Sequence, residues 1–424
     1  MTSTLTPSEE GQDARPRNPI RRVATLLGPA FVAAIAYVDP GNVAANLTAG
    51  AEYGYLLMWV LVVSNAMAVF IQYSSAKLGL VTGRSLPELL GERLGRGTRI
   101  TYWAQAEIVA AATDLAEVIG GAIALYLLFD IPLVLGGLIV GIVSLGLLRV
   151  QSNRGQRPFE FVIMGLLAII AVGFLVGLLF TDTQWGEAAE GLVPRFDGAP
   201  TVLLAASMLG ATVMPHAIYL HSSLSRDRHG SGHGHGRLKE LLHATKWDVG
   251  LSLIIAGGVN IGMLMLAAGA LRGVDGTDSI EGAYAAIDGA LGPVIAAIFG
   301  VGLLASGLAS TSVGCYAGSA IMGGLIHRRI PLIVRRSITL IPALIILGSG
   351  VSPTWALVIS QVVLSIGIPF ALIPLVRLIS DRSLMGMHAA GVGTKAVAWT
   401  VVAAIVALNA VLLVLTFTGD VSIG

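Results

Sequence analysis

Phe31-Val-Ala-Ala-Ile-Ala-Tyr-Val-Asp39-Pro40-Gly41-Asn42-Val-Ala-Ala and Ser207-Met-Leu-Gly-Ala211-Thr-Val-Met214-Pro215-His216-Ala-Ile-Tyr are the stretches that decide the fold. Each sets a proline inside an apolar run of membrane length. Proline lacks an N–H and clashes with the preceding turn, so a helix must open at Pro40 and at Pro215. Gly41 adds backbone freedom beside the first break. Unpaired backbone at membrane depth is tolerated only where protein buries it or it lines a cavity. A matched pair of interrupted helices in two halves of a chain marks a transporter's substrate site. The breaks offer a carboxylate (Asp39), an amide (Asn42), a thioether (Met214), an imidazole (His216) and the opened carbonyls of Ala36 and Ala211. Magnesium and calcium sites use oxygens alone, whereas a sulfur favours softer divalent transition metals.

Outward from the breaks, the whole chain is apolar. Of 424 residues, 55% are hydrophobic and 12% are charged. A soluble domain would carry about twice that charged fraction. Segments able to cross a bilayer of roughly 30 Å fall at 22–50, 55–80, 97–128, 132–150, 159–180, 200–224, 244–271, 290–325, 332–350, 354–378 and 394–418. Residues 1–20 read as a disordered cytoplasmic tail without the apolar core of a cleavable signal peptide. Residues 21–424 read as a single transmembrane domain of eleven helices. No strand pattern and no soluble domain appear. The single cysteine, Cys315, excludes an internal disulfide and reads as a packed thiol.

Basic residues orient the spans. With the N-terminus inside, Arg15, Arg17, Arg21, Arg22, Lys77, Arg84, Arg93, Arg96, Arg99, Arg149, Arg154 and Arg157 lie on the cytoplasmic side. So do Arg226, Arg228, Arg237, Lys239, Lys246, Arg328, Arg329, Arg335, Arg336, Arg377, Arg382 and Lys395, leaving only Arg195 and Arg272 outside. Splitting the long eighth segment would put the cluster at 328–336 outside, so eleven spans are preferred and the C-terminus is external. Spans 1–5 start inside and spans 6–10 outside, each set beginning with a broken helix. That is an inverted repeat, with span 11 an addition.

Span 3 carries Glu107, Asp114 and Glu117, whose spacings of seven and three put them near one helix face. Ionisable residues within a span are expensive and usually functional. Arg335 and Arg336 open span 9, and Arg228 is expected just past the helix that follows Met214-Pro-His216. The loop His229-Gly-Ser-Gly-His233-Gly-His235-Gly reads as a flexible linker, though histidine-rich tracts also bind metal. His221, Asn46, Asn65, Gln72, Asn260 and Thr212 are intramembrane polar groups that either pack helices or line the route, while Gly302 and Gly307 belong to small-residue packing.

Asp39-Pro40-Gly41-Asn42 and Met214-Pro215-His216 resemble the two signature motifs of the Nramp family, the natural resistance-associated macrophage proteins. The resemblance runs from about Gly28 to Leu378. It implies the leucine-transporter fold: an all-α polytopic protein of two inverted five-helix repeats plus an eleventh helix. It further implies proton-coupled import of manganese, iron and related divalent metals, cobalt and cadmium among them, by alternating access. By resemblance, Asp39, Asn42, Met214 and the Ala211 carbonyl contact the metal, joined in some conformations by the Ala36 carbonyl and Gln361 of span 10. The family's proton pathway implies roles for Asp39, His216, Glu107, Asp114, Glu117, Arg228, Arg335 and Arg336, with Asp114 and Glu117 paired to Arg228, Arg335 or Arg336. Beyond metal, protons and lipid, no cofactor, nucleic acid or obligate protein partner is expected. The expected location is the plasma membrane, a bacterial inner membrane. A sodium-coupled amino-acid symporter and a passive divalent channel are the competing readings. An enzyme is disfavoured, because no zinc-protease His-Glu-x-x-His and no serine with an evident buried base is present.

Overall fold

The computed structural model describes residues 26–418 apart from Asp278 and Arg329. The expected tail at 1–20 and the final residues therefore lie outside the described part. Within it every regular element is helical.

Both breaks form where proline dictates. Span 1 is Pro29–Ala34, a 3-10 turn Ile35–Tyr37, an unwound Val38-Asp39, and a second half, Pro40–Tyr53. Proline suits the first turn of a helix, where its missing N–H would be unpaired anyway, so Pro40 ends one half and starts the next. Asp39 is extended and caps the second half by accepting the Asn42 backbone N–H at 2.9 Å. Span 6 is Gly198–Thr212, a break at Val213-Met214, and Pro215–His229.

The remaining spans are Met58–Thr82, Arg96–Phe129, Leu133–Arg154, Gln156–Leu175, His235–Ala270, Pro293–Ile326, Leu332–Gly348, Pro353–Ser380 and Val392–Thr418. Eleven segments thus stand where hydropathy put them. Nine of the described helical segments satisfy length and apolarity by themselves. Span 1 is divided into short halves, and span 9 has only 17 residues. Span 8 is one unbroken helix of 34 residues, which agrees with eleven spans rather than twelve.

Apolar runs do not reveal the short helices between spans. Leu86–Arg93 is held by a capping box of Ser85 and Glu88. Trp185–Glu190, Ile280–Leu291 and Arg382–Met385 sit in other connections. The boundaries around the loop between spans 6 and 7 also move: span 6 runs to His229 and span 7 begins at His235. Arg228 is therefore inside the second half of span 6, not beyond it. Helical N–H bonding continues past the last apolar residue, which hydropathy cannot register.

Spans 3 and 8 pack along each other at the centre. Gly307 permits this, since a Cβ there would stand 2.8 Å from the Gly121 Cα. Gly302 meets Gly173 of span 5 in the same way, at 2.9 Å. Small residues let membrane helices approach to backbone contact, and here they bring the span 3 acids against span 8.

Candidate metal site and polar pathway

The two breaks meet. Asn42 Nδ2 donates to the Ala211 carbonyl across the junction at 2.9 Å and to Asp39 Oδ1 at 2.6 Å. Asp39, Asn42 and Met214 are 0% exposed and His216 is 1% exposed, so the junction is closed to both sides. Met214 caps the second half of span 6 and shares an apolar cluster with Ala36, Val38 and Val43. Gln361 comes from span 10; a Cβ on Gly41 would lie 1.9 Å from its Nε2. Only glycine at 41 leaves room for that amide.

Asp39 Oδ2, Asn42 Oδ1 and both polar atoms of Gln361 are buried without a hydrogen-bond partner among the described residues. A buried unsatisfied polar group costs about 1–3 kcal/mol. Several gather at this one junction. No three His, Cys, Asp or Glu side chains gather as a metal cluster among the described residues. Any metal bound here would hold one carboxylate and otherwise neutral donors.

Span 3 faces span 9 through two ion pairs. Arg335 donates to both oxygens of Glu107, at 2.6 and 3.2 Å. Arg336, fully buried, donates to both oxygens of Asp114, with Oδ2 at 2.5 Å; the Thr311 hydroxyl donates to Asp114 as well. Glu117 is buried one turn further along, and neither of its oxygens has a hydrogen-bond partner among the described residues. His216 Nδ1 stands 3.5 Å from the Thr113 hydroxyl, beside Asp114, and its Nε2 has no hydrogen-bond partner among the described residues.

One expected partner is elsewhere. Arg228 pairs with Glu160 of span 5 at 3.2 Å, not with Asp114 or Glu117. The helical turn that carries Arg228 faces span 5, while span 9 delivers its arginines to span 3. Glu160 also accepts from Gln156 at 2.8 Å. Nearby, Asp248 of span 7 accepts the Gly28 and Ala30 N–H groups at 2.9 Å each, closing the free N-terminus of span 1. Nothing in the local sequence flags Glu160 or Asp248 as belonging to this junction, because Arg228 is 68 residues from Glu160 and Gly28 is 220 residues from Asp248.

A second polar chain runs beside the breaks. His221 Nδ1 donates to Gln72 Oε1 at 2.8 Å, and Gln72 Nε2 donates to the Tyr37 hydroxyl at 2.6 Å. Asn260 donates to the Tyr37 carbonyl at 2.7 Å and accepts from Asn46 at 2.9 Å. The Ser306 hydroxyl donates to the Val38 carbonyl. The carbonyls freed by the first break are thus held by spans 7 and 8. Tyr37, Thr113, Ser306 and Thr311 carry no signal in the sequence beyond being polar in apolar surroundings.

Comparison with known proteins agrees along the chain. The family model described as "Natural resistance-associated macrophage protein-like" matches residues 30–415. The chain is 59% identical over 394 residues to the divalent metal cation transporter MntH of Mycobacterium tuberculosis, covering 93% of this chain and 92% of that protein. It is 46% identical to MntH of Bacillus subtilis, covering 94% and 93%. The crystal structure of the Eremococcus coleocola manganese transporter superposes with a TM-score of 0.85 at 30% identity, covering 93% of this chain and 87% of that one. MhsT in complex with L-phenylalanine superposes at 0.61 with 14% identity over 91% and 98% of the two chains, which shows the shared leucine-transporter fold alone. A match from residue 30 to residue 415 leaves only the two ends outside it, and the chain belongs to the Nramp family.

Proposed function

We propose that the protein imports divalent transition-metal ions, manganese and iron foremost, coupled to protons and by alternating access across the plasma membrane. The observation that carries this reading is the junction of the two breaks. Asp39 Oδ2 and Asn42 Oδ1 are buried there without hydrogen-bond partners among the described residues, and Met214 is buried at the second break. A carboxylate, an amide oxygen, backbone carbonyls of Ala36 and Ala211, a thioether and the Gln361 amide form a mixed oxygen and sulfur set. Such a set suits manganese and iron and admits softer cadmium and cobalt, while placing magnesium and calcium at a disadvantage. An amino-acid carboxylate would meet the negative charge of Asp39 in the same place.

Proton coupling is supported by the ionisable groups leading away from the site. Metal binding favours the ionised form of Asp39, so its proton leaves toward span 3. His216 contacts Thr113, which adjoins Asp114 on span 3, and the Asp114–Arg336 and Glu107–Arg335 pairs follow along that helix. A passive channel would have no use for these buried pairs. Opening and closing follow from the broken halves moving against spans 3 and 8.

The test is uptake of manganese into proteoliposomes with internal pH followed in the same vesicles. Wild-type protein should take up metal and acidify the interior, and Asp39→Asn should do neither. Equal uptake by mutant and wild type would remove the site from consideration.

A further inference from the structure

Span 10 carries two prolines inside its helix, Pro369 and Pro374. An α-helical N–H bonds the carbonyl four residues earlier. Proline has no N–H, so Pro369 frees the Ser365 carbonyl and Pro374 frees the Phe370 carbonyl. Side chains of other spans take both. The Phe370 carbonyl accepts from the Tyr102 hydroxyl of span 3 at 2.9 Å and from the Tyr219 hydroxyl of span 6 at 3.1 Å. The Ser365 carbonyl accepts from Asn409 Nδ2 of span 11 at 2.5 Å. Asn409, Ser365 and Gln361 are all buried. Gln361 lies one turn before Ser365 on the same helix face, and its amide reaches over Gly41 at the first break. A Cβ on Gly210 would stand 2.3 Å from Ser365 Oγ, so this face also lies against the residue preceding Ala211.

We propose that Asn409 is a positioning residue for the Gln361 amide, so that span 11 sets the geometry of the transport site without touching it. The inference rests on the reading of Gln361 as a metal donor. Neither polar atom of Gln361 has a hydrogen-bond partner among the described residues, so the place of its amide follows from the backbone that carries it. Prolines are where that backbone bends. The two tyrosines tie it to spans 3 and 6 at Phe370. One turn from Gln361, the tie comes from span 11, which packs against span 10 and the outer half of span 6. Asn409 stands in an otherwise apolar stretch, Val401-Val-Ala-Ala-Ile-Val-Ala-Leu-Asn409-Ala-Val-Leu-Leu. Polar side chains in such a stretch serve as hydrogen-bond links between membrane helices. A buried carbonyl left without a donor is unfavourable. Without the Asn409 amide, span 10 should rebend toward another donor and carry Gln361 away from Gly41.

The experiment is manganese binding by the full-length protein in detergent, read from the paramagnetic resonance signal of the free ion. Wild type, Asn409→Leu, Gln361→Ala and the double variant are compared, and the unfolding temperature of each is recorded. Leucine fills a similar space without a donor. Each single substitution should weaken manganese binding by roughly three- to tenfold. The double variant should bind within about twofold of Gln361→Ala alone, because Asn409 then has no amide to position. Losses that multiply in the double variant would mean that Asn409 acts on general packing, and would overturn the proposal. Wild-type affinity in either single variant would overturn it too. Should Asn409→Leu fail to fold, the same cycle is run with Asn409→Ser, whose hydroxyl stays polar but is too short to reach the carbonyl. Asp39→Asn, measured beside these, tests the transport site by itself. Loss of binding there together with multiplying losses in the cycle removes only the role of Asn409, whereas wild-type binding by Asp39→Asn removes the site.

Discussion

At the scale of single residues, the proposed function assigns metal choice to the Met214 sulfur and part of the proton route to the Asp114–Arg336 pair. Met214→Ala removes the sulfur and leaves the oxygens of Asp39, Asn42 and the Ala211 carbonyl. Cadmium affinity should fall by roughly tenfold or more, manganese should still be carried, and calcium should compete better. Competition uptake in vesicles measures all three, and unchanged cadmium and calcium affinities would mean that the sulfur is not a ligand. Asp114 needs a paired test. Arg336 is 0% exposed and its bonds to Asp114 hold its charge. Removing one partner of a buried pair costs about 3–5 kcal/mol, because the other charge is stranded. Asp114→Asn alone should therefore lower thermal stability, while Asp114→Asn with Arg336→Gln should recover much of it. In the double variant manganese binding should persist and metal-driven acidification should be lost. Normal acidification by a well-folded double variant would refute the span 3 relay.

At the scale of elements, the halves of span 1 are too short to hold themselves and rely on neighbours. The six residues Pro29–Ala34 have N–H groups that no residue of their own helix satisfies. Asp248 supplies two acceptors and a negative charge at that positive helix end. Asp248→Ala should cost about 1–2 kcal/mol, read as a lower unfolding temperature in detergent. Metal affinity at the junction should change little, since Asp248 touches no ligand atom. A large loss of manganese binding with unaltered unfolding temperature would show that Asp248 acts on the site rather than on the helix end. The same reliance explains the carbonyls of Tyr37 and Val38, which Asn260 and Ser306 hold from spans 7 and 8.

At the scale of the molecule, eleven spans and the charge distribution demand opposite sides for the connections after spans 9 and 10. Cys315 is buried and should not react with an impermeant thiol reagent. Ser349 and Gly391 are both exposed, in the connections following spans 9 and 10 respectively. In intact cells Ser349→Cys should be labelled and Gly391→Cys should be labelled only after lysis. Labelling of Gly391→Cys in intact cells would overturn the orientation drawn from the lysines and arginines.

The sequence alone determined the number of spans, the position of both breaks and the residue types offered there. These are local properties: an apolar run, a proline that cannot continue a helix, and a side chain next to it. Glu107, Asp114 and Glu117 were legible for the same reason, since charge inside an apolar helix stands out. Tertiary structure decided the rest. It sent Arg228 to Glu160, gave Arg335 to Glu107 and Arg336 to Asp114, and brought Gln361 over Gly41. It also enlisted Asp248, Tyr37, Ser306 and Thr311, whose partners are distant in the chain. A helix face says which residues share a side, but the rotation and depth of its neighbour select the partner. Those follow from how small residues such as Gly121 and Gly307 let the backbones close, and only the packed molecule resolves that.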